Sequence, residues 1–146
     1  MNFNAAVATC FRKYAVFSGR APRSEYWWFT LFLLLAGFAL GLADALFFLT
    51  PADQTGPLNT IFTLATLLPS LAVGARRLHD VDRTGWWLLL WLVPVLGWLI
   101  LLWWTVQPGT RGPNRFGPDP LGSGDGPEET HEPYHRSPIP KVSRRN

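Results

Sequence analysis

The chain has 146 residues, a formal net charge of +3 and 48% hydrophobic residues, among them 8 Trp and 10 Phe. This length fits one domain. The single cysteine, Cys10, excludes an internal disulfide and every CxxC metal or redox motif.

The amino-terminal segment mixes polar and apolar residues, with Phe3, Val7, Phe11 and Tyr14 at intervals of four, four and three. This spacing predicts a helix over residues 3–17 with these side chains on one face. Two interpretations fit equally: an interfacial helix on the membrane, or a helix packed on the protein's own segments. No basic start leads directly into an apolar core, so no cleaved signal peptide is expected.

Three long apolar runs follow. Residues 26–49 would span about 36 Å as a helix, more than the ~30 Å hydrocarbon core of a bilayer. Residues 58–75 are just long enough to cross, and residues 86–106 carry paired Trp at both ends, as expected at two membrane interfaces. The sequence therefore predicts an all-α membrane protein, with an amphipathic N-terminal helix and three transmembrane helices. Residues 1–120 form the predicted membrane domain and residues 121–146 a disordered polar tail.

The loop charges predict an orientation, because basic residues in short loops mark the cytoplasmic side. The amino-terminal segment and the loop after the second run are basic, while the loop after the first run has no Lys or Arg. This pattern predicts a cytoplasmic N-terminus. A third full crossing would place the tail outside, although the tail begins with Arg111 and Arg115. The alternative is that the third run is kinked or re-entrant at Pro94 and Gly97, which returns the tail to the cytoplasmic side.

Polar motifs separate the runs. Phe17-x-Gly19-Arg20-x-x-Arg23-x-Glu25-x-Trp27 precedes the first run, Arg76-Arg77-Leu78-His79-Asp80 follows the second, and Gly85-Trp86-Trp87 opens the third. After the third come Pro108-Gly109-x-x-Gly112-x-Asn114-Arg115-Phe116-Gly117-Pro118-Asp119-Pro120. In order and spacing this set resembles the domain of unknown function 805 family of small bacterial inner-membrane proteins, over roughly residues 10–120. The resemblance implies a location in the bacterial plasma membrane, and it implies no reaction, substrate or cofactor. The multi-pass character is predicted by the apolar runs.

The charged motifs supply the candidate site. Residues 76–85 read as a compact charged loop, in which the forks of Arg76 and Arg77 suit the phosphate oxygens of an anionic lipid. The alternative is a topology signal that anchors the helix end. In that case Asp80 and Asp82 form ion pairs with Arg76, Arg77 and Arg83, or with Arg20 and Arg23. The turn-rich residues 114–120 either fold back to close this cluster or form an exposed turn. The candidate lipid or ion-pair cluster comprises Arg20, Arg23, Glu25, Arg76, Arg77, His79, Asp80 and Arg83.

Asp44 is the only ionisable residue inside an apolar run, and an intramembrane acid is a functional candidate. Two function classes follow. The first is a structural or interaction module of the bilayer that engages anionic lipid or a membrane partner. The second is a small transport or channel component that acts as an oligomer. Because no nucleophile–base pair or closed metal set is present, no enzyme activity, cofactor, metal or nucleic-acid partner is expected.

Overall fold

The computed structural model describes residues 1–51 and 54–122. The predicted disordered tail therefore lies, beyond Gly122, outside the described residues. The described residues form helices and no strand. They are α1 (Phe3–Arg12), α2 (Arg23–Phe47), α3 (Pro57–Asp80), a 3₁₀ helix (Gly85–Leu92) and α4 (Leu96–Val106).

Two helices, α2 and α3, are long and apolar enough to cross a membrane. They pack against each other, and the Asn59 side chain donates to the Gly37 carbonyl at 3.1 Å. Large apolar side chains of α2 point away from the protein, with Phe38 76% and Leu34 66% exposed. This outward apolar surface suits contact with lipid chains, because such exposure is costly in water.

Helix α3 is longer than its apolar run. The expectation of a loop from residue 76 is wrong for residues 76–80, which continue the helix to Asp80. Arginine is a good helix former, and its positive charge suits the negative end of the helix dipole. The charged motif therefore extends α3 instead of ending it.

The third apolar run reverses direction, and a third transmembrane helix is not confirmed. The 3₁₀ helix and α4 lie side by side, with the rings of Trp87 and Trp104 5.4 Å apart between centroids. The 11 residues of α4 extend about 16 Å. The chain turns at Pro94, which cannot continue a helix. A Cβ at Gly97 would lie 2.9 Å from the Leu90 carbonyl carbon, so glycine permits the close approach of the two arms.

Helix α1 begins with the Asn2 side chain accepting from Ala5 N–H at 2.9 Å, and it ends at Arg12, short of the predicted residue 17. The predicted amphipathic face is not confirmed, because the buried residues are the small Ala6, Thr9 and Cys10. Small side chains let α1 approach α2 closely, and aromatic rings such as Phe11 pack at its edges. The location of α1 on a membrane surface stays a prediction.

We expect Gly97→Ala to open the hairpin formed by the 3₁₀ helix and α4 and to lower the free energy of unfolding by about 1–3 kcal/mol, the usual cost of overpacking. Gly37→Ala is the matched control, because a Cβ there meets only Asn59 Oδ1 at 3.8 Å. The measurement is unfolding in mixed detergent micelles. Equal stability of the two variants would contradict the close approach at Gly97.

Candidate functional site

Five charged side chains meet where α2 begins and α3 ends. Arg20 precedes α2, Glu25 lies in its first turn, and the others lie in the last turns of α3. All are buried, and Arg76 and Arg77 are 0% exposed. We call this set, Arg20, Glu25, Arg76, Arg77 and Asp80, the ion-pair cluster.

Asp80 is the centre of the ion-pair cluster. Its Oδ1 lies 2.9 Å from Arg20 Nη2, and its Oδ2 lies 2.6 Å from Arg77 Nη1. Separately, Arg76 Nη1 lies 2.5 Å from Glu25 Oε1. The Nε and Nη2 atoms of Arg76 make no hydrogen bond within the described part of the chain, so its charge is balanced by Glu25 alone. Buried charges are tolerated only when they are paired, so each acid holds its arginines in place.

Backbone carbonyls accept the remaining hydrogen bonds of Arg20 and Arg77, because three arginines face only two acids. Arg20 also donates to the carbonyls of Thr110 at 2.5 Å and Gly112 at 2.6 Å. Arg77 donates to the carbonyls of Thr105, at 3.1 Å, and Gln107. Thr105 and Gln107 lie at the C-terminal end of α4, where the helix dipole places partial negative charge. The exit of the hairpin is therefore attached to the ion-pair cluster.

Residues 107–119, here called the return segment, cap the end of α3. Thr110 N–H donates to the Asp80 carbonyl at 2.8 Å, and the Asn114 amide donates to the His79 carbonyl at 2.9 Å. Helix ends leave such carbonyls without partners in the helix itself. A Cβ at Gly109 would lie 2.6 Å from Asp80 Cγ, so the backbone passes directly over the carboxylate. Of the two interpretations of residues 114–120, the structure has the one in which this stretch folds back onto the charged motif.

Three residues of the predicted cluster lie at its edge and join none of its ion pairs. His79 Nδ1 lies 3.0 Å from the Gly19 carbonyl, and its ring stacks on Phe116. Arg23 is exposed and donates to the Val106 carbonyl at 3.3 Å. Arg83 lies over the ring of Trp104, 5.2 Å from its centroid.

Cys10 borders the ion-pair cluster and was missed by sequence reasoning. Its Sγ lies 3.8 Å from Glu25 Oε1. Burial, and next the negative charge of Glu25, raise the pKa of Cys10 to about 12. The thiol is therefore protonated at physiological pH and is a poor nucleophile. No spacing or motif marked this residue, because a lone cysteine in a helix resembles any small apolar residue.

Asp44 lies at the other end of the helix pair, about 28 Å along α2 from Glu25 at helical rise. Its carboxylate is 1% exposed and accepts from the N–H groups of Leu58 at 3.0 Å and Asn59 at 2.9 Å. It thus caps the first turn of α3 from a neighbouring helix, where a negative charge is favourable. A Cβ at Gly56 would overlap this carboxylate.

The charged groups do not assemble a metal site. Across residues 1–51 and 54–122, no group of three His, Cys, Asp or Glu side chains is placed to hold a metal ion. The ion-pair cluster instead has the chemistry of a structural joint, with acids and arginines directed at each other.

Comparison with known proteins supplies the family. The model of the family described as "Protein of unknown function (DUF805)" matches residues 14–118, which include the whole ion-pair cluster. The chain belongs to the DUF805 family. It is 49% identical over 109 residues to "Inner membrane protein YhaH" of Escherichia coli (strain K12), covering 75% of this chain and 90% of that protein. It is 45% identical over 109 residues to "Inner membrane protein YhaI" of the same strain, covering 75% and 89%.

The resemblance seen in the motifs is thus confirmed. No solved structure matches the chain. Its inner-membrane relatives and its two long apolar helices together make this DUF805 member a membrane protein.

We expect Asp80→Asn to lower the free energy of unfolding by about 3–5 kcal/mol, because it leaves two buried arginines without their acid. Asp82→Asn is the matched control. Its carboxylate pairs with Arg115 at 3.1 Å, but both side chains are about half exposed (47% and 58%). Loss of such a surface pair costs less than about 1 kcal/mol. Similar losses in both variants, measured by unfolding in mixed micelles, would refute the central place of Asp80.

Proposed function

We propose that this DUF805 member is a structural and interaction module of the bacterial plasma membrane that engages anionic lipid. The observation that supports it is a set of exposed arginines around the buried ion-pair cluster. This set, the basic rim, consists of Arg23, Arg83, Arg111 and Arg115. At this end the described residues include one exposed acid, Asp82, while Glu25 and Asp80 are buried and Asp119 is half-buried. Each such cation near a lipid surface contributes about 1 kcal/mol of attraction to anionic lipid.

The proposed lipid contacts are not Arg76 and Arg77, the two arginines that the sequence indicated. Arg76 and Arg77 are fully buried and bonded to Glu25, Asp80 and carbonyls. Their forks therefore serve the protein's own acids and do not reach a headgroup. Arg23 and Arg111 instead line a cavity of 150 Å³, together with Asp80 and Asp119.

The proposed topology has two crossings, α2 and α3, and a hairpin that enters and leaves on one side. Three basic segments lie at the same end: Arg20 and Arg23, the end of α3, and the return segment. By the positive-inside rule this end is cytoplasmic. A hairpin of the third run removes the conflict between an outside tail and its basic start.

Transport, the alternative function, depended on Asp44. Its carboxylate is occupied by the first turn of α3, so it is placed to stabilise the helix pair and not to pass a proton or ion. The structural module is therefore the function we propose. Homo-oligomerisation and a membrane partner stay predictions.

We expect a reporter that is active only in the cytoplasm to be active when it is fused after Asn146. The reason is that the return segment is fixed to the same end as Arg20. The same reporter inserted after Gln54, between α2 and α3, is the control and should be inactive. An inactive C-terminal fusion with normal expression would contradict this topology and support three full crossings.

For lipid engagement, we expect the double variant Arg23→Gln/Arg111→Gln to bind phosphatidylglycerol about 30-fold more weakly, from about 1 kcal/mol per cation. The measurement is native mass spectrometry of the detergent-solubilised full chain during lipid titration. The control double variant, Arg12→Gln/Lys13→Gln, removes the same charge from exposed positions outside the basic rim. Unchanged binding by the rim variant, or equal weakening in the control, would count against the proposal.

A further inference from the structure

An apolar groove of 560 Å³ lies between α3 and the 3₁₀ helix. Leu71, Ala75 and His79 line one wall, at intervals of four that place them on one face of α3. Leu89 lines the opposite wall, and the ring of Phe116 lies at the end nearest the return segment. The groove therefore runs from an apolar region of the molecule toward its charged end.

His79 gives the groove a hydrogen-bond acceptor at this charged end. Its Nδ1 lies 3.0 Å from the Gly19 carbonyl, and since a carbonyl only accepts, Nδ1 carries the proton. In the neutral ring Nε2 is then an acceptor, and it makes no hydrogen bond among the described residues. The ring is held by parallel stacking on Phe116, with centroids 4.0 Å apart. A ligand that donates a hydrogen bond fits this position.

Arg115 adds a cation at the same end. Its guanidinium lies 4.8 Å from the centroid of the Phe116 ring, and its side chain is 58% exposed. Its Nε and Nη2 donate to Asp82, whereas Nη1 makes no hydrogen bond within the part of the chain that the structure describes. One arm of the fork is thus directed at no protein acceptor and suits a phosphate oxygen.

The surroundings of the groove select its occupant. Its walls are mainly apolar side chains, and in a bilayer this surface is surrounded by hydrocarbon chains. Its charged end offers an acceptor on His79 and a cation on Arg115. An acyl chain that carries a polar, anionic headgroup is complementary to both ends of the groove.

We propose that the groove binds one anionic glycerophospholipid whose headgroup carries a hydroxyl. One acyl chain lies between Leu71 and Leu89, the hydroxyl donates to His79 Nε2, and the phosphate contacts Arg115. This inference rests on the proposed engagement of anionic lipid and gives it a defined site. It also assigns His79 as the residue that distinguishes headgroups.

The first experiment fills the groove. Leu89→Trp places a large ring in its wall at a side chain that is 58% exposed, so folding is retained. Leu92→Trp is the matched control, because Leu92 lies on the same 3₁₀ helix, is 79% exposed and does not line the groove. Native mass spectrometry with phosphatidylglycerol should show at least tenfold weaker binding for Leu89→Trp and unchanged binding for Leu92→Trp. Equal binding by the two variants would overturn the site.

The second experiment tests the headgroup. His79→Asn keeps an N–H donor for the Gly19 carbonyl and removes the acceptor at Nε2. We expect about tenfold weaker binding of phosphatidylglycerol, the scale of one hydrogen bond. Binding of phosphatidylmethanol, which has the same charge and no hydroxyl, should be unchanged. Equal weakening for both lipids would remove the assigned role of His79.

The outcomes separate the two proposals. If Arg23→Gln/Arg111→Gln weakens phosphatidylglycerol binding while Leu89→Trp does not, the groove is wrong and lipid engagement stands. If neither variant changes binding, both are wrong. A change of oligomeric mass in Leu89→Trp without a change in lipid binding would show that a second copy of the chain occupies the groove.

Discussion

The fold depends on one buried carboxylate shared by two arginines. Asp80 accepts from Arg20, which comes before the first membrane helix, and from Arg77, which lies one helical turn away on α3. In a low-dielectric environment neither arginine is stable without this acid, and the acid is not stable without them. The ion pair between Arg20 and Asp80 therefore joins segments 60 residues apart in the chain. The backbone of the return segment closes over it, with Gly109 admitting the contact.

The same constraint fixes the path of the third apolar run. Arg77 requires the carbonyls of Thr105 and Gln107, so the end of α4 must return to the level at which the 3₁₀ helix begins. A straight crossing would carry these carbonyls about 30 Å away, across the hydrocarbon core. Electrostatics at the cluster and the break at Pro94 thus act together.

Long apolar runs made α2 and α3 predictable within a few residues, because length and composition suffice for a crossing. Ion pairing of Asp80 was one interpretation of the charge pattern, but charge alone did not choose its partners among the arginines of the loop and those of the amino-terminal segment. The hairpin was only an alternative, since the Trp pairs that indicate two interfaces instead pack against each other, as Trp87 and Trp104 do. No sequence pattern predicts which backbone carbonyls accept hydrogen bonds from the arginines, or that Cys10 lies beside Glu25. Both arise only when distant parts of the chain pack together.

The hairpin is shorter than the two long helices, since α4 has 11 residues and α2 has 25. The cross-section of the molecule therefore differs between its two ends. At the end of the ion-pair cluster, α1, the hairpin, α2 and α3 lie together, whereas near Asp44 the described helices in contact are α2 and α3. In the proposed topology, such a body would displace more lipid from one leaflet than from the other, and lateral pressure in the two leaflets would act on it unequally. Membrane curvature would then be a physical variable to which this small protein is coupled.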